Sequence, residues 1–431
     1  MQHIIRGVAS GSAGDTAAGL HALMLSNRFL KASVLADKSV KEHYDFLQPL
    51  IGAFKALKPQ LAIHQINSQM LALMGPKQRQ EQVTAVLGLV DSRSKAEAIV
   101  GLGPGLAALE RAQQEALVKA ALGLVDEWDK TQAIAGLGAG LAALERPQQE
   151  ALVTAALGLA DDEHKSRAIA GLGAGLAALE PRQQQKLITA ALGLANDWHK
   201  ALAISGLGAG LVALDGTQQQ ALVKAALGLV GEEHKAQALA GLGAGLGALE
   251  RSQQQALVTT ALELADDWYM ALAISGLGAG LAFLERSQQE ALITAALELG
   301  DDDDKVEAVA GLGAGLAALD RPQRQALVTA ALGLAEGFQK SQAIARLGAG
   351  LAALERPQQR ALVTAALGLA EGFQKARAIA GLGAGLAALE PRQQKALITA
   401  ALGLADERHK AQVIACLVDG YQASRVRDYL R

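Results

Sequence analysis

The chain has 431 residues, a formal net charge of -3 and one cysteine; 51% of it is apolar and only 3% aromatic. The chain has no excess of Lys and Arg of the kind that nucleic-acid binders carry. A single cysteine excludes an intramolecular disulfide framework. No apolar run reaches the roughly 18 residues that cross a bilayer, so we expect no membrane span.

Residues 1–40 precede the regular part of the chain. Their first stretch contains Ser and Gly, and lacks the basic start and apolar core of a secretory signal. We expect a flexible leader followed by an N-terminal helical cap; a leader read by a specialised bacterial secretion system is the alternative. Residues 41–76 read as a degenerate repeat, because Gln65, Asn67 and Gln69 interrupt its apolar pattern.

Residues 77–410 form a tandem array. The string GLGAGLAALE, or a close variant, begins every 35 residues at positions 101, 136, 171, 206, 241, 276, 311, 346 and 381. A period of this length is typical of solenoids, in which each unit buries its apolar face against its neighbours. We expect an all-α fold, a right-handed α-solenoid (superhelix) of about ten two-helix repeats. Residues 411–431 are expected to form a C-terminal capping helix and tail.

The pattern predicts two helices in each repeat. In the repeat 147–181, the first helix should begin at about Pro147, and a capping box is predicted where Ser287 precedes Glu290. The second helix should run from about residue 163 to residue 180. Its last two-thirds are apolar on all sides, so neighbouring repeats must cover it. Pro104 is expected to kink the second helix of its repeat.

The repeats differ most at the turn between the two helices. The glycines Gly337 and Gly372 suit a left-handed C-terminus of the first helix. One turn position is often aromatic and the next is often histidine. The residues that we select from these two positions are Trp128, Trp198, Trp268, Phe338, Phe373, His164, His199 and His234. Exposed aromatic rings are candidate anchors for a partner, whereas the alternative is that each ring folds over its own helix start.

A second candidate surface is a strip of small residues along the second helix. Gly171, Ala174 and Ala178 illustrate it, and Phe283 is the one bulky residue at the last of these positions. If the strip faces inward, it could serve as a groove for an extended peptide or a helix. We therefore add Phe283 to the candidate partner-binding residues.

No pattern points to catalysis, a metal or a cofactor. The GLGAG string lies inside a helix rather than after a strand, so it does not match a dinucleotide fingerprint. The repeat histidines occur once per repeat, too far apart for shared ligation. The acidic run 301–304 suits a helix start, and a weak cation site is its alternative. We expect no enzyme activity and no cofactor.

The two-helix unit with short turns resembles the HEAT, armadillo and TPR α-solenoids over about residues 41–426. The TPR signature is absent and the period is shorter than that of HEAT or armadillo repeats, so the resemblance is to a short HEAT-like or TPR-like relative. Near-identical copies rich in Ala, Gly, Leu and Arg also resemble secreted effectors of host-associated proteobacteria. This resemblance implies a location in the cytoplasm, or in a host cell after secretion by a specialised bacterial system.

The sequence therefore favours a non-enzymatic scaffold that binds a protein or peptide, with a bacterial effector acting on a host protein as its specific form. Two alternatives stay open. The first alternative is a nucleic-acid reader, because pentatricopeptide repeats share the period and TAL-effector-like repeats vary at the same turn. Acidic turns, however, would repel a phosphate backbone. A structural spacer is the other, because repeat ends can associate head to tail. A monomer fits the sequence equally well.

Overall fold

The computed structural model describes residue 71 and residues 74–417, except residues 336, 371, 407, 408, 411 and 415. The leader and cap expected in 1–40, most of the degenerate repeat 41–76 and the end of the tail lie outside the described residues. The first helices of successive repeats are α1 (Pro76–Leu87), α3 (Arg111–Leu122), α5 (Arg146–Leu157), α7 (Pro181–Gly193), α9 (Gly216–Leu227), α11 (Arg251–Leu262), α13 (Arg286–Glu298), α15 (Arg321–Gly333), α17 (Arg356–Gly368) and α19 (Pro391–Leu402). The second helices are α2 (Ser92–Leu102), α4 (Glu127–Leu137), α6 (Asp162–Gly173), α8 (Asp197–Leu207), α10 (Glu232–Leu242), α12 (Asp267–Leu277), α14 (Asp302–Leu312), α16 (Phe338–Leu347) and α18 (Phe373–Gly383).

The described chain divides into two compact units, one over residues 83–335 and the other formed by residues up to 82 and from 336 onward. Within each unit, every second helix packs along the second helix of the next repeat, and each first helix packs on the second helix of its own repeat. No strand occurs among the described residues. The prediction of an all-α solenoid is therefore confirmed. None of the described helices has both the length and the apolar character needed to cross a membrane.

Each first helix from α3 onward begins behind an acidic residue. At α5 the Glu145 side chain receives the N3 backbone N–H, and the Glu145 backbone N–H donates to Oε1 of Gln148 at 3.0 Å. This capping box satisfies two backbone donors that have no partner within the helix. The box predicted from Ser287 and Glu290 is wrong, because α13 already begins at residue 286 and its box is formed by Glu285 with the glutamine three residues later.

In every first helix from α3 to α19 except α15, which has Arg324 at this position, the glutamine after the box is buried or half-buried and bonds to the end of the preceding second helix. Nε2 of Gln149 donates to the carbonyls of Leu141 and Leu144 at 2.9 and 3.0 Å. The same pair of bonds is made by Gln114, Gln184, Gln219, Gln254, Gln289, Gln359 and Gln394. Carbonyls at a helix end lack partners within the helix, so this amide stabilises the link between the two repeats.

The second helix is not the continuous α-helix that the sequence predicts. In the repeat 147–181, α6 ends at Gly173 and a 3-10 helix covers Leu176–Ala178; the preceding repeat has a 3-10 helix over Gly138–Ala143. Glycines disfavour the continued α-helix and the tighter 3-10 turn replaces its end. Pro104 lies in the first turn of the 3-10 helix Gly103–Ala108, where a missing N–H costs little, so the expected kink in α2 is wrong.

The glycines of the repeated string are points of backbone contact between successive second helices. A Cβ built on Gly136 would lie 2.6 Å from Cα of Val100, and one built on Gly171 would overlap the backbone of Ala135. No side chain fits there, so the recurring string forms the framework of the array. The boundary between the two units falls within the repeat 322–356, in which Arg346 replaces this glycine.

Candidate interaction surface

The turns between first and second helices form one edge of the unit 83–335. We call the residues 125–129, 160–164, 195–199, 230–234, 265–269 and 300–304 the turn edge. Polar caps start the second helices here: the Asn196 side chain accepts from Trp198 N at 2.7 Å, and that of Asp266 accepts from Trp268 N at 3.0 Å. The cap fixes the helix start and places the indole one residue inside it.

The indoles of Trp128 and Trp198 each contact a histidine of the following repeat. The ring centroids of Trp128 and His164 are 6.0 Å apart in an edge-on arrangement, and those of Trp198 and His234 are 6.2 Å apart. Trp128 is nevertheless 42% exposed and Trp268 is 48% exposed, whereas Trp198 is half-buried. Two of the three indoles therefore present substantial apolar area to solvent.

An arginine that the sequence analysis missed covers part of the Trp128 indole. The guanidinium carbon of Arg167 lies 4.9 Å from the ring centroid, and its Nη2 lies 3.0 Å from Oε1 of Glu163. This is a cation–π contact across the repeat boundary. A comparison of the repeats at the third position after the histidine would have singled out Arg167, because few repeats carry a cation there.

The histidines of the turn edge differ in their partners. Nδ1 of His164 lies 3.6 Å from Oε2 of Glu127, and Nδ1 of His234 lies 2.8 Å from the carbonyl of Val230. His199 is half-buried, and its Nδ1 makes no hydrogen bond to a described residue. Backbone N–H groups of Glu163 and His164 lower the pKa of Asp161, which caps α6. These contacts fix the turns and do not gather the histidines into one cluster.

Two exposed valines extend the apolar part of the turn edge. Val125 is 94% exposed and Val230 is 76% exposed. The sequence analysis passed over them, although Ala or Gly occupies this position in most other repeats. Their exposure adds to that of the indoles.

The turn edge is also strongly acidic. Its six segments contain many Asp and Glu residues, and a lysine follows directly in five of them. Nζ of Lys165 lies 3.6 Å from Oδ1 of Asp162, and Nζ of Lys200 lies 3.7 Å from Oδ1 of Asp197, so the lysines neutralise part of this charge. Across consecutive repeats, an indole and a carboxylate alternate at one position, as in Trp198, Glu233, Trp268 and Asp303. Burial, followed by the charges of Asp301 and other neighbouring carboxylates, raises the pKa of Asp304 above its usual value. A partner of positive charge is favoured at such an edge.

The unit that begins at residue 336 carries a related aromatic pair. Phe338 and Phe373 are 49% and 48% exposed, and the Arg377 guanidinium lies 4.7 and 5.7 Å from their ring centroids. The Phe373 ring also contacts His409 at 5.4 Å.

The glycines before these two rings have an unexpected role. Gly337 and Gly372 have φ of +120° and +119°, a conformation that only glycine adopts readily, and each is the N-cap of a second helix. The expectation that they end the first helices is therefore wrong, because the positive φ starts the next helix.

Phe283 does not belong to the turn edge. It ends the 3-10 helix Gly278–Phe283, at the opposite end of its second helix from Trp268, and is 56% exposed. The strip of small residues is accessible in part. Gly171 packs against the preceding second helix, Ala174 is exposed and Ala178 is half-buried.

No group of three or more His, Cys, Asp or Glu is arranged to hold a metal ion within the part of the chain that the structure describes. The exposed indoles, valines and carboxylates of the turn edge suit contact with another molecule.

No family model matches the sequence, and neither does any curated protein. Among solved structures, the chain is similar to a karyopherin Kap121p bound to the extreme C-terminus of Cdc14p, at 14% identity and a TM-score of 0.36, covering 99% of this chain and 57% of that one. It is also similar to a chain of a homology model of the full-length AP-3 complex, at 10% identity and a TM-score of 0.30, covering 96% of this chain and 86% of that one. The similarity to She4p has 13% identity and a TM-score of 0.24, and covers 97% of this chain and 72% of that one. The chain spans little more than half of the karyopherin. The solenoid assignment rests on the helices described above.

Proposed function

We propose that the protein is a non-enzymatic scaffold that binds a segment of another protein along the turn edge of the unit 83–335. The observation that carries this proposal is the row of partly exposed indoles that alternates with carboxylates. Trp128 and Trp268 are both more than two-fifths exposed in a region where the helix starts are fixed by caps. A large ring on a rigid support loses little entropy on binding and is a typical interface anchor.

Each repeat combines a constant framework with a variable turn, and this arrangement supports the same function. The glycines of the repeated string lie against neighbouring backbone and tolerate no side chain. The turn residues lie outside that framework, so they can vary between repeats at little cost to packing. A surface that varies on a constant framework is suited to recognising one particular partner.

The charge of the turn edge disfavours nucleic acid as that partner. Its carboxylates would lie against a phosphate backbone, and binding of phosphates depends on cations that release counterions. A polypeptide with basic and apolar side chains complements the edge instead.

The finer form of the proposal is a bacterial protein that acts on a host protein after secretion into the host cell. It is supported by the near-identical Ala-, Gly- and Leu-rich copies of the array. A secreted reporter fused to the full chain tests it: recovery in host cytosol that depends on a specialised secretion system is expected, and retention in the bacterium would reject this form alone.

Partner recovery with matched variants tests the scaffold itself. The full chain and a variant with Trp128→Ala, Trp198→Ala and Trp268→Ala serve as baits, with a photo-crosslinking residue at position 125. We expect at least one protein that crosslinks to the wild-type chain and is lost from the variant, while circular dichroism shows unchanged helicity.

The control variant carries Val212→Ala and Phe283→Ala. It also removes exposed apolar area, since the two side chains are 75% and 56% exposed, but it does so outside the turn edge. Recovery should be unchanged. If the triple variant recovers every protein as well as the wild type does, the turn edge is not the docking surface.

A further inference from the structure

An open groove lies between the first helices α5 and α7, beside the start of α6. It has a volume of about 640 Å³, and its apolar lining includes Leu157 and Leu194. The preceding repeat has an equivalent groove of about 670 Å³ between α3 and α5. Each lining residue of one groove lies 35 positions from a lining residue of the other, so the two grooves are the same site in consecutive repeats.

The two equivalent grooves differ in charge. The charged lining residues of the groove between α3 and α5 are Glu127, Lys130 and Glu150. Those of the groove between α5 and α7 are Asp162, Lys165, Arg182 and Lys186. Two carboxylates and one ammonium group therefore line the first groove, whereas three cations and one carboxylate line the second.

Arg182 reaches the groove because the usual order of arginine and proline at the helix start is reversed. In α5 the arginine comes first, and Nη1 of Arg146 lies 2.8 Å from Oε1 of Glu180 in the cap of the next repeat. In α7 Pro181 comes first and the arginine follows it. One residue further along a helix is a rotation of about 100° around its axis. The guanidinium is thereby moved from the next cap to the lining of the groove.

Arg182 and Lys186 have no counter-charge. Among the residues that the structure describes, neither side chain makes a hydrogen bond or an ion pair. Asp162, the one carboxylate of the groove, is already engaged, since its Oδ1 lies 3.6 Å from Nζ of Lys165. Arg182 and Lys186 are four residues apart on one face of α7, where like charges repel each other. An anion between them would relieve this repulsion.

We propose that the groove between α5 and α7 binds an acidic peptide segment of a partner protein. This goes beyond the turn edge and gives the unit 83–335 a second binding surface, of opposite charge. Arg182 and Lys186 are one helical turn apart, about 6 Å along the axis. Alternate side chains of an extended peptide are about 6.6 Å apart on one face. Two acids in the pattern Glu-x-Glu therefore reach both cations, and an apolar side chain two residues later lies against the part of the groove lined by Leu194.

A nucleic acid complements the groove less well than a short acidic segment does. The equivalent groove one repeat earlier has two carboxylates, and the turn edge beside it is acidic. Successive phosphates on either side of the two cations would therefore meet negative charge, whereas nucleic-acid binding requires a continuous row of cations. A segment with two carboxylates needs only the local pair.

A defined peptide tests the proposal on the full chain. The probe is Gly-Glu-Ser-Glu-Ser-Leu-Gly with blocked ends, titrated at low salt in a calorimeter. We expect saturable binding that added salt weakens, and no binding of the matched peptide Gly-Gln-Ser-Gln-Ser-Leu-Gly. The variant with Arg182→Ala and Lys186→Ala should bind the acidic peptide at least about ten-fold more weakly.

A control variant removes the same charge elsewhere. Arg251 and Arg286 are exposed arginines at the starts of other first helices, where each pairs with a carboxylate of the next cap. Changing both to alanine should leave the affinity for the acidic peptide unchanged, because neither lines the groove.

Transplanting the site gives the sharpest comparison. Pro147→Arg, Glu150→Gln and Ala151→Lys, added to the variant that lacks Arg182 and Lys186, give the groove between α3 and α5 the residues of its neighbour and should restore binding. None of the substituted residues is buried, and circular dichroism checks the helicity of each variant.

Equal binding of the glutamine peptide, an unchanged affinity without Arg182 and Lys186, or failure of the transplanted residues to restore binding would each overturn the proposal. Tighter binding of an oligothymidine would assign the groove to nucleic acid instead. Self-association that is lost with Arg182 and Lys186 would assign it to a second copy of the chain. The triple alanine variant of the indoles should bind the acidic peptide as the wild type does, so the scaffold function of the turn edge is judged separately.

Discussion

The ring of Phe283 lies on Gly247 of the preceding repeat. A Cβ built on Gly247 would be 2.7 Å from Cε1 of that ring. Other repeats have alanine or valine in place of Gly247 and alanine in place of Phe283, so the two departures occur as a contacting pair. The glycine makes room for a ring that its neighbours in the array do not carry.

We expect the effects of Gly247→Ala and Phe283→Ala on stability to be coupled. In the Phe283→Ala background, Gly247→Ala should raise the free energy of unfolding by about 0.5–1 kcal/mol, since alanine loses less backbone entropy than glycine. In the wild-type chain the new methyl displaces the ring and most of this gain should disappear. Urea unfolding of the four proteins measures the coupling; strictly additive effects would show that the ring does not depend on the glycine.

Glycines of the repeated string should tolerate no such exchange. Gly171→Ala would drive a methyl into the backbone of Ala135, which has no flexible side chain to move aside. We expect a loss of about 3 kcal/mol, at the upper end of overpacking effects, and a lower urea midpoint. Gly193→Ala is the control, because nothing lies within 4 Å of its added Cβ, and it should change the midpoint little. Similar losses in both variants would contradict a special role for the repeated glycines.

The buried glutamine that follows the capping box should be required for stability. Gln149→Leu keeps the approximate volume but removes both hydrogen bonds to the carbonyls of Leu141 and Leu144. Leaving these carbonyls without the amide should cost about 1–3 kcal/mol. The adjacent exposed change Glu150→Ala provides the matched control and should stay within about 0.5 kcal/mol of wild type. Equal stability of the two variants would mean that water replaces the amide without loss.

The sequence was sufficient for the architecture because the 35-residue period and the apolar pattern reflect burial directly. The exposure of Glu150 and Thr154 and the burial of Leu152 are what helical periodicity alone requires. The role of Gln149 could not be derived in the same way. A glutamine early in a helix is usually solvated. Here the 3-10 helix at the end of the preceding repeat brings the carbonyl of Leu141 to the side chain of Gln149.

The turn surface was predictable in its residues but not in its contacts. Comparing the repeats showed that Trp128 and His164 occupy variable positions, yet the pairing of a ring with the next repeat depends on the offset between stacked helices. That offset is set by the glycine contacts between second helices and leaves no local signal in the turn. The contribution of Arg167 was missed for the same reason.

Asp304 gives the stability of the protein a pH dependence of predictable sign. Its pKa in the folded chain is raised from 3.8, first by burial and then by neighbouring carboxylates. Between 3.8 and the folded pKa, the folded chain binds more protons at this residue than the unfolded chain does, so stability falls as pH rises through this window. Asp304→Asn should therefore raise the Tm at pH 7, and the gain should shrink as the pH falls and vanish below 3.8.

Thermal unfolding of wild type and Asp304→Asn across this pH range measures the effect. Asp302→Asn removes one charge from an exposed position of the same turn and should change the Tm much less at any pH. A Tm gain for Asp304→Asn that is independent of pH would contradict the electrostatic origin.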